Sequence, residues 1–142
     1  MFLVYFSDII LLLLTGNYGK NENVEWTIVV LAGQVVRLDF YTFNTFGYSY
    51  SWADYVSGDY VRVYDSCTAD NDKIIDTYYG PRSGYEHNLP SSILSTSNAI
   101  HINFTTDSYF TRQGFSATAA GVDLAGNMTL EYYLLKVKHV NK

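Results

Sequence analysis

In AIHINF, residues 99–104, apolar and polar side chains alternate. Ile100, Ile102 and Phe104 fall on one face of an extended chain, and His101 and Asn103 on the other. A period of two is that of a β-strand with one buried face. The period recurs in QVVRLDFYTF, residues 34–43, where Val36, Leu38 and Phe40 oppose Arg37, Asp39 and Tyr41. DYVRVYD, residues 59–65, turns Val61 and Val63 inward and Arg62 outward. EWTIVVL, residues 25–31, runs up to the turn signal Ala32-Gly33, and KIIDTYYG, residues 73–80, stops at Gly80-Pro81. GFSATAAG, residues 114–121, reads as a last strand. Between these runs, residues 44–58 (NTFGYSYSWADYVSG) and 82–93 (RSGYEHNLPSSI) read as loops. No stretch before residue 128 carries a helical period with caps. Strands separated by turns, without intervening helices, predict an all-β antiparallel sandwich. Its core is expected to unite Trp26, Val36, Leu38, Phe40, Val61, Val63, Ile100, Ile102 and Phe104.

Both ends of the chain leave alternatives open. Residues 1–15, MFLVYFSDIILLLLT, read either as a secretory signal or as a first core strand. The apolar run Ile9–Leu14 resembles a signal, but no basic residue precedes it and Asp8 interrupts the segment. It is too short to span a bilayer. Residues 16–120 form the expected domain. The remainder, 121–142, includes GNMTLEYYLLKVKHVNK, which fits an extra strand, a short amphipathic helix or a linker.

Composition narrows the function. A chain of 142 residues fits one domain, and 48% hydrophobic against 16% charged residues excludes disorder. A net charge of -5 excludes nucleic acid, whose phosphates require a basic face. Tyrosine accounts for 14 residues, in keeping with pleated, half-buried surfaces. The single cysteine, Cys67, has no partner for an internal disulfide and is expected to be a small buried hydrophobe. The histidines, His87, His101 and His139, form no catalytic or metal-binding motif, and His101 is expected on the surface. There is no nucleophile elbow, no zinc-protease helix and no phosphate loop, so no catalytic residues are expected. Asn103 and Asn127 begin glycan acceptor sequons.

TGNYGKNENVEW places Asn17-Tyr18 ahead of Trp26. Gly33, Val36, Leu38, Phe40 and Phe43 then make a glycine and an F-x-x-F strand, and Asp59 to Asp65 a D-x-V-x-(apolar)-x-D. Pro90, Ser95, Ser97, Asn98, Ile100, Ile102, Phe104, Asp107, Gly114 and Phe115 form the closing frame. In this order these segments resemble the CUB domain family of extracellular β-sandwich modules. The likeness spans about residues 14–120. It implies a non-catalytic, secreted or extracellular module that binds a protein partner through loops at one end. The alternatives are an accessory structural fragment of a larger secreted protein such as a protease, and a lectin-like sugar-binding domain. The family's cysteine positions hold Val24, Val56 and Tyr79 instead. Calcium-binding members use a glutamate and two aspartates, and the metal orders loops whose acids then accept a partner's lysine. Asp59 and Asp107 fill the aspartate positions, with the Ser108 carbonyl as an added donor, but the glutamate position reads Phe46, and Asn44 or Asp54 of the longer loop before Asp59 are the alternatives to it. The resemblance thus implies a weakened calcium site, with Tyr60 and Tyr109 beside it as binding residues. In the metal's absence Arg112 is the expected neutralising partner of the two acids.

Overall fold

The computed structural model describes residues 2–6, 9–13, 17–49, 56–80, 89–125 and 134–141. In chain order its strands are β1 (Phe2–Phe6), β2 (Ile9–Leu13), β3 (Glu22–Val29), β4 (Val35–Asn44), β5 (Gly47–Ser49), β6 (Val56–Gly58), β7 (Tyr60–Tyr64), β8 (Ile74–Tyr79), β9 (Ile93–Leu94), β10 (Ala99–Thr105), β11 (Gly114–Val122) and β12 (Leu134–Asn141). They pair antiparallel into one sheet ordered β1-β2-β11-β4-β9 and another ordered β12-β3-β10-β7-β8. Among the described residues the helical structure is a single 3-10 turn, Asn71–Lys73. The fold is the antiparallel β-sandwich that the alternation predicts.

The facing sides of the two sheets enclose one core. β3 contributes Val24, Trp26 and Ile28, β10 contributes Ile100, Ile102 and Phe104, and β7 contributes Val61 and Val63. Opposite them stand Val36, Leu38, Phe40 and Phe43 of β4 and Phe115, Ala117 and Ala119 of β11. All residues expected in the core are in it. Each large side chain buried this way contributes about 1.5–3 kcal/mol. Phe115 meets Trp26 and Phe104 edge-on, with ring centroids 5.6 and 5.7 Å apart.

One break in the period has a structural cause. Phe40 and Phe43 are three apart, yet both point inward. Ser116 pairs with Thr42 while Ala117 pairs with Phe40, which leaves Tyr41 as the extra residue of a β-bulge. The bulge resets the alternation and turns Tyr41 outward.

Several expectations change. Residues 44–58 are not wholly loop, because β5 and β6 form a small hairpin with Gly47 opposite Gly58. Residues 50–55 and 81–88, with Asp54, Glu86 and His87, lie outside the described residues. Within residues 1–15, β1 and β2 form a hairpin, and β2 pairs with β11. In the tail, β12 is a strand, with Lys136 opposite Thr27 of β3.

Cys67 is exposed rather than buried, and His101 is buried rather than exposed. The second change explains itself from the loop after β7. Thr27 Oγ1 lies 2.9 Å from His101 Nδ1 and 3.4 Å from the Cys67 carbonyl, so this loop closes over the outer face of β10. The Tyr64 ring packs 5.7 Å from the imidazole. His101 is 5% exposed, and its Nε2 has no partner among the described residues. Burial lowers its pKa below the ordinary 6.5, and Glu25 opposes the shift only in part. The unfolded chain therefore binds the proton first as pH falls below 6.5, so this residue's contribution to stability is lost on acidification. Between about pH 7.5 and about pH 5 the urea midpoint of the wild type is expected to fall more than that of His101→Gln. Parallel curves would contradict this assignment.

Candidate functional site

Asp59 sits between β6 and β7, where two glycines bring the backbone unusually close. Gly58 has φ of +94°, and a Cβ there would lie 2.4 Å from the Phe46 carbonyl oxygen. A Cβ on Gly47 would lie 2.0 Å from the carbonyl oxygen of Asp59. Only glycine permits this approach. It lets Asp59 N–H donate to the Phe46 carbonyl at 2.8 Å.

The Asp59 residue is 0% exposed. Its Oδ2 accepts from the Tyr18 hydroxyl, and that hydroxyl in turn accepts from Phe46 N–H at 2.8 Å. Its Oδ1 accepts from Asp107 N–H at 2.7 Å. Asp107 then extends the network: its carbonyl accepts from Asn21 N–H at 2.8 Å, and its Oδ1 accepts from Tyr109 N–H at 2.8 Å. Tyr18 N–H donates to the Arg112 carbonyl at 3.1 Å, and the Tyr18 ring meets Phe104 edge-on at 5.1 Å. One buried carboxylate thus ties residues 18–21, 46 and 107–112 to the core. Burial pushes the Asp59 carboxyl above its ordinary 3.8, the Asp107 charge adds to this, and the hydrogen bonds oppose it. Burial also raises the Tyr18 hydroxyl, with the bond to Asp59 reinforcing the shift.

Asp59 and Asp107 are therefore brought together, as the sequence implies. Ser108 follows on an exposed loop, and Tyr109 beyond it is 70% exposed. Tyr60 is half-buried on β7, with the Arg62 guanidinium 5.0 Å over its ring and Tyr79 at 6.2 Å. The Arg112 guanidinium lies 5.0 Å over the Phe46 ring, and its Nη1 donates to Asn44 Oδ1 at 3.3 Å. Phe46 also packs on Phe110 at 4.7 Å, and Phe110 is 62% exposed. Beside this cluster opens a hollow of roughly 350 Å³ lined by Asn17, Asn44, Thr111, Arg112 and Gln113. Tyr18, Phe46 and Phe110 are site residues that sequence reasoning did not assign a role. Tyr18 lay within a matched motif, but the partner of its hydroxyl is 41 positions away.

Among the described residues the site offers a calcium ion few donors. Calcium takes six to eight oxygens, usually with several carboxylates. Each Asp59 oxygen accepts one hydrogen bond, and Asp107 Oδ1 caps its own loop. No three His, Cys, Asp or Glu residues converge among the described residues. The position of a third carboxylate holds an aromatic ring with a guanidinium over it.

Of the cysteine replacements, Val24 is buried in the core and Tyr79 pairs with Tyr60, while the Val56 side chain lies outside the described residues. Asn103 is half-buried, and its Nδ2, the atom a glycan would join, donates to Asn23 Oδ1 at 2.6 Å. Asn127 lies outside the described residues.

Residues 14–118 match the CUB domain family. Cubilin of Canis lupus familiaris is 31% identical over 110 residues, which are 77% of this chain and 3% of that protein. Astacin-like metalloendopeptidase of Gallus gallus is 30% identical over 105 residues, 72% of this chain and 22% of the relative. The chain thus spans under a quarter of the length of these relatives. The solved CUB1-EGF-CUB2 domain of human MASP-1/3 superposes with a TM-score of 0.64 at 24% identity, covering 82% of this chain and 42% of that one. That likeness concerns the fold alone. The two-sheet sandwich, the ordered motifs and the family match lead to one conclusion: this chain belongs to the CUB domain family.

Proposed function

We propose that this chain is a non-catalytic, extracellular protein-binding module whose recognition surface is the loop end held by Asp59. One observation carries the reading. Tyr109 and Phe110 project into solvent from a segment whose backbone is pinned at Asp107 and Arg112. Exposed aromatic side chains are typical binding anchors, and a prearranged segment loses little freedom on docking. The named relatives, cubilin and an astacin-like metalloendopeptidase, support an extracellular setting. No helix among the described residues is long and apolar enough to cross a membrane.

A second reading, an accessory part of a larger secreted protein, is favoured by the small share of each relative that the chain spans. The two are compatible, since an accessory module also binds through a surface. The test is photo-crosslinking from position 109 or 110, with position 41 on the side of the sandwich as reference, in a mixture of secreted proteins. A protein captured only from the loop end is then purified and titrated. Phe110→Ala is expected to weaken its binding about tenfold or more, and Tyr41→Ala to leave it unchanged. Equal capture from both positions, or equal affinity of both variants, would contradict the proposed surface.

A further inference from the structure

We infer that the loop end of this chain is organised without calcium, and that Phe46 and Arg112 make the cross-link a metal would otherwise make. A calcium ion joins separate loops by drawing oxygens from each. Here Arg112 joins the same segments by other means. Its carbonyl receives Tyr18 N–H, its Nη1 donates to Asn44, and its guanidinium covers the Phe46 ring. Phe46 in turn packs on Phe110, which closes the link between residues 44–46 and 110–112.

The same arrangement works against a metal. The guanidinium carries a permanent positive charge, and it stands over the side chain that replaces the expected third acid. A divalent ion approaching Asp59 and Asp107 finds no third acid converging on it among the described residues. Each Asp59 oxygen already accepts one hydrogen bond, from the Tyr18 hydroxyl or from Asp107 N–H, so the chain itself sets the position of this carboxylate. The acids that look like metal ligands in the sequence are, in the fold, acceptors for the chain's own donors.

The test is the melting temperature of the full chain in about 10 mM calcium chloride against the same concentration of magnesium chloride, roughly tenfold above the weakest affinity usual for extracellular calcium modules. The wild type is expected to melt at the same temperature in both. Phe46→Glu, which supplies a third carboxylate beside Asp59, is expected to melt several degrees higher in calcium than in magnesium. A wild-type melting temperature that rises in calcium overturns the inference. So does a folded Phe46→Glu that responds no more than the wild type, since residue 46 is then not what excludes the ion. Should Phe46→Glu not fold, the wild-type comparison decides alone.

Discussion

Replacing Asp59 with alanine is expected to destabilise the chain by about 3 kcal/mol, read as a shift of the urea midpoint. The variant leaves two donors, the buried Tyr18 hydroxyl and the part-buried Asp107 N–H, without their acceptor. Each orphaned group costs about 1–3 kcal/mol, offset in part because a buried charge is also removed. Asp59→Asn keeps a carbonyl oxygen for Asp107 N–H and turns an amide toward the Tyr18 oxygen. Its cost is expected to be smaller, since one acceptor and its bond survive without the charge, while the Tyr18 hydroxyl proton loses its acceptor. Equal costs for the two variants would mean that the charge, and not the pair of acceptors, holds the loops.

Trp26→Ala is expected to cost about 3–5 kcal/mol, the range for removing a large aromatic from a packed core. Trp26 is fully buried, lies opposite Ile102 in the β3–β10 register, and meets Phe115 edge-on. Its indole N–H has no partner among the described residues. Trp26→Phe should therefore cost far less than Trp26→Ala, because it keeps most of the packing and removes a stranded donor. A phenylalanine variant as unstable as the alanine variant would show that the indole N–H is satisfied after all.

The sandwich was legible because alternation is local. Ile100, Ile102 and Phe104 announce a buried face within six residues, and the fold honours it. Phe40 and Phe43 announce it less plainly, since their odd spacing makes sense only once the bulge at Tyr41 is seen. His101 misleads for a related reason. Its place on the outward face follows from the period, but its burial follows from a loop that returns from residues 65–73. Asp59 and Asp107 were identifiable as a pair through the family frame. What they do was not, because it depends on donors far away in sequence. The Tyr18 hydroxyl, Asp107 N–H and the glycines at 47 and 58 meet at Asp59 only through the pairing of distant strands. The two ends of DYVRVYD make the point together. Asp59 anchors one loop end, while Asp65 accepts from the N–H and hydroxyl of Thr96 at 3.0 and 2.5 Å. Both aspartates act as tethers between segments, a role that a linear motif does not distinguish from metal binding.

The most direct measurement is hydrogen exchange at the Asp107 amide, whose partner is the buried Asp59 carboxylate. In the wild type this amide is expected to exchange far more slowly than an unstructured one, despite its position in a loop. In Asp59→Ala its protection is expected to vanish, together with that of the Tyr18 and Asn21 amides, while the amides of β10 keep theirs. A wild-type Asp107 amide that exchanges at the unstructured rate, or one equally protected in Asp59→Ala, would show that Asp59 does not organise the loop end.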